Sequence, residues 1–131
     1  MSFCAAVNCM DGRVQLPVIE YLTARLGVRY VDVISEAGPV RVLAESPGSG
    51  TADAIMSRVQ ISTAKHGAKT VAVVAHDDCT GNPVGKVEQL DQLMRAVGLI
   101  AERFPGVTVL GLWVDDEWTV EEIARREPSR V

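Results

Sequence analysis

Two short clusters in this 131-residue sequence hold the residue types that bind metals and move protons. The first is Cys9-Met10-Asp11-Gly12-Arg13, and the second is His76-Asp77-Asp78-Cys79. Two thiolates and an imidazole make a soft donor set that suits zinc in tetrahedral geometry. His76 and Cys79 have two residues between them, so a single turn can wrap an ion, while Cys9 must arrive from a distant segment. The competing reading is that these are core thiols beside a satisfied histidine, since free cysteine is often simply buried. Cys4 fits that second description, because it lies inside an apolar run with no partner motif. Asp11 and Arg13 carry opposite charges two positions apart, and their plain reading is an ion pair or turn contact that orders the loop.

For the clusters to meet, the chain must bring two distant segments side by side. Apolar runs at residues 3–8, 30–34, 70–75 and 107–114 read as strands, the third uninterrupted as in a sheet covered on both faces. Between them lie helical patterns. Leu16, Ile19, Leu22 and Leu26 recur at helical spacing, with Pro17 in the first turn, and stop at Gly27. Ala37-Gly38-Pro39 reads as a breaker and residues 46–50 as a loop. Thr51 is positioned to cap a second helix, with Ala52, Ile55, Met56, Val59 and Thr63 inward. Asn82-Pro83 reads as the start of a third, with Leu90, Leu93, Met94, Val97, Ile100 and Phe104 as its stripe. Val120, Ile123 and Ala124 predict a short last helix.

Strands alternating with helices predict an α/β fold: a mainly parallel, doubly wound, four-stranded sheet of order 2-1-3-4, with helices on both faces. Such sheets bind ligands beyond the carboxyl ends of their strands, where the winding reverses. Cys9 follows the first strand and His76 the third, so the two clusters face each other if those strands are neighbours. No linker or repeat divides residues 1–131, and one domain is expected.

Cys-x-Asp-x-Arg, followed far downstream by His-x-x-Cys, resembles the signature of the β-class carbonic anhydrases. The similarity extends through most of the chain, including the strand-then-Ala-Gly step at Ala37-Gly38 and the strand leading into His76. The resemblance implies zinc held by Cys9, His76 and Cys79, with Asp11 and Arg13 as a catalytic dyad beside it. It implies that zinc-bound hydroxide hydrates carbon dioxide reversibly to bicarbonate, and that Asp11 can become a fourth ligand that closes the site. Two thiolates would cancel the charge of zinc, so its water is acidified less than at an all-histidine site. The resemblance also implies a homodimer or larger homo-oligomer.

Several positions depart from the family pattern. Ser35-Glu36-Ala37-Gly38 stands where Arg-Asn-Ala-Gly is usual, Ala75 replaces a glycine before the histidine, and Cys-Gly has become Cys79-Thr80-Gly81. The first strand is expected to begin almost at Met1, where the family carries N-terminal helices with a glutamine. Two further readings follow: a noncatalytic zinc-binding relative, or a hydrolase of a related small molecule such as carbonyl sulfide or carbon disulfide.

Composition narrows the classes. A net charge of −4 gives no reason to expect nucleic acid or an anionic membrane surface as partner. No apolar run is long enough to span a bilayer, and the first residues lack a signal-peptide pattern. Three cysteines without export signals point to a reducing, cytoplasmic setting. The spacing of Cys9 and Arg13 is too short for a cysteine phosphatase loop, and no Gly-x-Gly-x-x-Gly is present. His66 reads as a helix end, Asp77 and Asp78 as turn residues, and Asp115, Asp116 and Trp118 as a turn with a packing contact.

Overall fold

A computed structural model describes residues 2–129. Its elements in chain order are β1 (Phe3–Cys9), a 3-10 turn (Gly12–Val14), α1 (Gln15–Leu26), β2 (Tyr30–Glu36), α2 (Pro39–Glu45) and α3 (Gly50–Lys65). They continue with β3 (Thr70–His76), α4 (Lys86–Arg103), β4 (Thr108–Val114) and β5 (Val120–Arg126). The sheet order is β2-β1-β3-β4-β5, with the first four strands parallel and β5 antiparallel.

The expected order 2-1-3-4 is therefore present, and β1 lies beside β3 in register, with Ala5 against Val71 and Val7 against Val73. Apolar residues on both sides of β1, β3 and β4 are buried because helices cover both faces. On one face α2, α3 and α4 enclose Val7, Val73 and Trp113 together with Leu43, Ile55, Leu93 and Ile100. On the other, Val18 and Leu22 of α1 pack on Ala6, Ala72, Val74, Leu110 and Leu112. Each fully buried leucine or isoleucine contributes about 1.5–3 kcal/mol of transfer free energy.

Four expectations are corrected. The sheet has five strands, because residues 120–126 form β5 and not a helix. The cause lies in the preceding turn: Asp115 Oδ1 accepts hydrogen bonds from the amides of Glu117 and Thr119, and Trp118 takes a positive φ of 61°. That turn reverses the chain, and the ladder to β4 outweighs the weak helical spacing. Charged Glu121, Glu122, Arg125 and Arg126 then keep this edge strand from pairing further. Secondly, Ala37-Gly38-Pro39 does not only break: Gly38 caps α2 and Pro39 opens it, placing Val40 and Leu43 in the core.

Thirdly, two caps are shifted. Ser49, not Thr51, caps α3 by accepting from the Ala52 amide, and α4 begins at Lys86, three residues beyond Pro83. Finally, the inner faces are rotated from the expected ones. Leu16 and Met94 are exposed and Thr63 is only partly covered, whereas Val18, Ser62, Gln89 and Gln92 are buried. The long α4 tolerates two inward glutamines because each finds a polar partner, described below.

No helix among the described residues is long and apolar enough to cross a membrane.

Candidate metal centre

β1 and β3 end side by side, and their last residues, Cys9 and His76, are buried at the point where the winding reverses. The chain leaving β3 turns back at once: Asp78 has φ 55°, and the amide of Asn82 bonds the carbonyl of Cys79. This turn swings the Cys79 thiol under His76 and toward Cys9. One donor atom from each of Cys9, His76 and Cys79 then lies within 4.8 Å of the other two.

The geometry fits a zinc ion. The two sulfurs are 3.8 Å apart, and all three cysteines of the chain are unlinked. Two thiolates each about 2.3 Å from a tetrahedral zinc stand about 3.8 Å apart, far beyond the roughly 2.05 Å of a disulfide. His76 supplies the second test. Its Nδ1 lies 2.7 Å from the Asp77 carbonyl oxygen, which can only accept, so Nδ1 carries the proton. Nε2 is buried, makes no hydrogen bond of good geometry among the described residues, and interacts with the Cys9 thiol. A buried imidazole grouped with two thiols, with no protein oxygen on its Nε2, fits the place of a metal ligand.

The thiols are already polarised. The hydrogen bond with Cys79 pulls the Cys9 thiol well below its ordinary range; burial opposes this, and His76 and then the amides of Gly38 and Asp11 assist. The same bond, with burial, pushes the Cys79 thiol upward. The amides of Asn82 and Gly81 face the Cys79 sulfur.

Asp11 and Arg13 are brought to this centre, with Asp11 outside the group of three donors. Arg13 Nε and Nη2 donate to Asp11 Oδ1 and Oδ2 at 3.0 and 2.7 Å, and the Arg13 amide adds a third bond at 2.9 Å. This fork holds the Asp11 carboxyl down at about 2, so it is ionised at any physiological pH. A cleft of about 340 Å³, lined by Cys9, Met10, Asp11, Ala37, Thr80 and Gly81, opens beside the pair.

Other residues at the centre were not singled out by sequence reasoning. Gln15 Nε2 donates to the carbonyls of Cys9 and Asp11 at 2.7 and 2.9 Å, fixing the loop that carries both. Gln89 donates to the His76 carbonyl, and Asn82 Nδ2 donates to Gln92 Oε1, whose amide reaches Glu45. The signal was there for α4: Gln89 and Gln92 share the spacing of Leu93, Ala96 and Ile100, and so must face inward. A β-carbon on Gly38 would fall 2.7 Å from the Gly81 carbonyl oxygen, so here two backbones touch.

His66 does close its helix, but its Nδ1 also lies 2.7 Å from Asp32 Oδ2, which accepts from Ser62 as well. Cys4 is buried in the sheet as expected, its thiol pushed up to about 11 by burial and then by Asp32.

An α/β domain with a Cys-His-Cys centre at the reversal of its sheet is the architecture of a β-carbonic anhydrase. Residues 1–124 match the family model described as "Putative carbonic anhydrase", and the chain belongs to that family as a divergent β-carbonic anhydrase-like member. Among solved structures it is similar to a tetrameric β-carbonic anhydrase of the filamentous ascomycete Sordaria macrospora. The TM-score there is 0.58 at 16% identity, covering 94% of this chain and 81% of that one. It is also similar to the β-carbonic anhydrase CcaA, with a TM-score of 0.55 at 14% identity, covering 92% and 79% respectively. At these identities the likeness is one of fold. No curated protein matches the sequence.

Proposed function

We propose that this chain is a zinc lyase that interconverts carbon dioxide and bicarbonate, with Cys9, His76 and Cys79 holding the ion. The observation that supports the reading is the grouping of His76 with two sulfurs at zinc-like separation, beside the Asp11–Arg13 pair. Zinc in such a site supplies the Lewis acidity that makes water nucleophilic at neutral pH.

The chain's own residues do the rest. Asp11, unable to take up a proton while Arg13 holds it, accepts a hydrogen bond from the nucleophilic water and aims its lone pair at the substrate carbon. Arg13 holds Asp11 by three hydrogen bonds, and would so keep its carboxylate apart from an ion held by the three donors. Gln15 keeps the backbone of Cys9 and Asp11 in place. Ala37, Met10 and Gly81 give the cleft apolar walls suited to a small neutral molecule. The protein acts in the reducing cytoplasm, where its thiols stay free. It works as a homodimer or larger homo-oligomer; the exposed Met10 lining the cleft favours closure by a second copy.

Stopped-flow hydration of carbon dioxide by zinc-loaded protein tests the activity. A zinc-dependent rate above buffer is expected, absent in Cys9→Ser. Arg13→Ala should lower kcat/KM by about 10–100-fold, the usual range for groups that orient a metal site, and bring Asp11 onto the metal in a crystal. No rate above buffer from fully loaded wild-type protein would leave a noncatalytic zinc protein, and turnover of carbonyl sulfide alone would leave the hydrolase.

A further inference from the structure

Arg13 makes more contacts than its pairing with Asp11 requires. Its Nη1 donates to Asp78 Oδ2 at 3.2 Å, and its Nη2 donates to the Asp78 carbonyl at 3.1 Å. Its guanidinium carbon also lies 4.6 Å from the centroid of the Trp118 ring, within cation–π range. The three partners come from three parts of the fold: the turn after β1, the turn after β3, and the hairpin between β4 and β5.

Both outer partners are held in unusual backbone conformations. Asp78 and Trp118 are the non-glycine residues with positive φ among those described, at 55° and 61°. A tryptophan in the left-handed region is uncommon, because its β-carbon crowds the following carbonyl. Here the Asp115 side chain stabilises the turn that requires it, and the turn sets the ring on Arg13. Asp78 shows the same pattern, its conformation placing both its carboxylate and its carbonyl toward one guanidinium. Strained residues from separate loops converging on one side chain indicate a positioning device.

We infer that Trp118 and Asp78 are positioning residues that clamp Arg13 from behind, and so hold Asp11 away from the metal that Cys9, His76 and Cys79 bind. The inference rests on the zinc reading above and extends it to two residues in other loops. Arg13 alone is a long, flexible chain, about half exposed, and could follow Asp11 toward the ion. Fixed to Asp78 and stacked on Trp118, it cannot move without losing two charge-assisted bonds and a ring contact. The clamp thus biases the position of Asp11 toward the one that leaves room for substrate.

The test uses full-length protein loaded with cobalt(II), whose thiolate charge-transfer band reports the ligand set, and azide as a probe of the fourth coordination position. Apparent azide affinity falls in proportion to the fraction of molecules in which Asp11 occupies that position. Trp118→Leu and Asp78→Gly, the latter chosen because glycine accepts positive φ, should each raise the apparent azide Kd about 1.5- to three-fold at unchanged cobalt content, the effect of a roughly two- to five-fold shift on a site about half open. Trp118→Phe, which keeps a ring face, should stay near wild type. In metal-free protein, the Arg13 Nε–H proton should exchange with water about two- to five-fold faster in the same two variants, a readout independent of the metal.

Wild-type azide affinity and wild-type proton exchange in both variants would overturn the clamp while leaving the zinc centre standing. Wild-type protein without a thiolate-to-cobalt band would overturn the zinc reading and the clamp with it. Should Trp118→Leu fail to fold, Asp78→Gly alters only an exposed side chain and decides the matter alone.

Discussion

Cys9→Ser protein is expected to lose zinc, with an affinity more than about 100-fold below wild type, since even groups that only support a ligand are worth 10–100-fold. Serine keeps the size of the side chain but offers a hydroxyl that stays protonated near neutrality. The Cys9 sulfur sits 3.8 Å from Cys79 and accepts from the amides of Gly38 and Asp11, a setting prepared for a thiolate. Competition with a chromogenic chelator measures the affinity, and thermal unfolding gives a second view. Zinc that binds only the folded state raises Tm with concentration, so wild type should climb on titration and the variant should not. Cys4→Ala is the control, because Cys4 is buried in the same strand and belongs to no donor group. Retention of zinc within about tenfold of wild type by Cys9→Ser would remove Cys9 from the ligand set.

Gly38→Ala is expected to be the most destabilising of the single-methyl additions. Gly38 has φ 57°, where an alanine costs about 1–2 kcal/mol. Its new β-carbon would also lie 2.7 Å from the Gly81 carbonyl oxygen and 2.9 Å from the Gly81 carbonyl carbon, and backbone cannot step aside as a flexible side chain does. Overpacking of this kind adds about 1–3 kcal/mol, so a total near 3 kcal/mol and a fall in Tm of about 10 °C are expected. Two companions separate the causes. Gly27→Ala has φ 68° but open space, and should lose only the conformational part. Gly81→Ala has an ordinary φ but meets Ala37 backbone at 2.9 Å, and should lose only the steric part. Because the Gly38 amide faces the Cys9 sulfur, Gly38→Ala should also weaken zinc binding, which Gly27→Ala should not. Equal effects of Gly38→Ala and Gly27→Ala would show that the two loops do not press on each other.

The comparison of sequence with structure follows the range of the forces involved. Buried parallel strands write themselves as apolar runs, so β1 to β4 and their order were legible, and with them the meeting of Cys9 and His76. The donor set was legible because its chemistry is a matter of residue type. What escaped depended on contacts between distant residues. Val120, Ile123 and Ala124 carry a helical spacing, yet β5 forms because the Asp115 turn returns the chain to pair with β4. Gly38-Pro39 looked like an interruption, although a glycine cap followed by proline also begins a helix. Trp118 gave no local sign of its place over Arg13, which lies 105 positions earlier in the chain; only the folded hairpin brings them together. Gln15 is similar, its role visible only once the Cys9 and Asp11 carbonyls are seen to point at it.

X-ray absorption at the zinc edge of purified, zinc-loaded protein addresses the ligand set most directly. Two sulfur scatterers at about 2.3 Å and one imidazole nitrogen at about 2.0–2.1 Å are expected, with the sulfur count falling to one in Cys79→Ser. A shell of oxygen and nitrogen alone, or a spectrum that Cys79→Ser leaves unchanged, would contradict the metal centre described here.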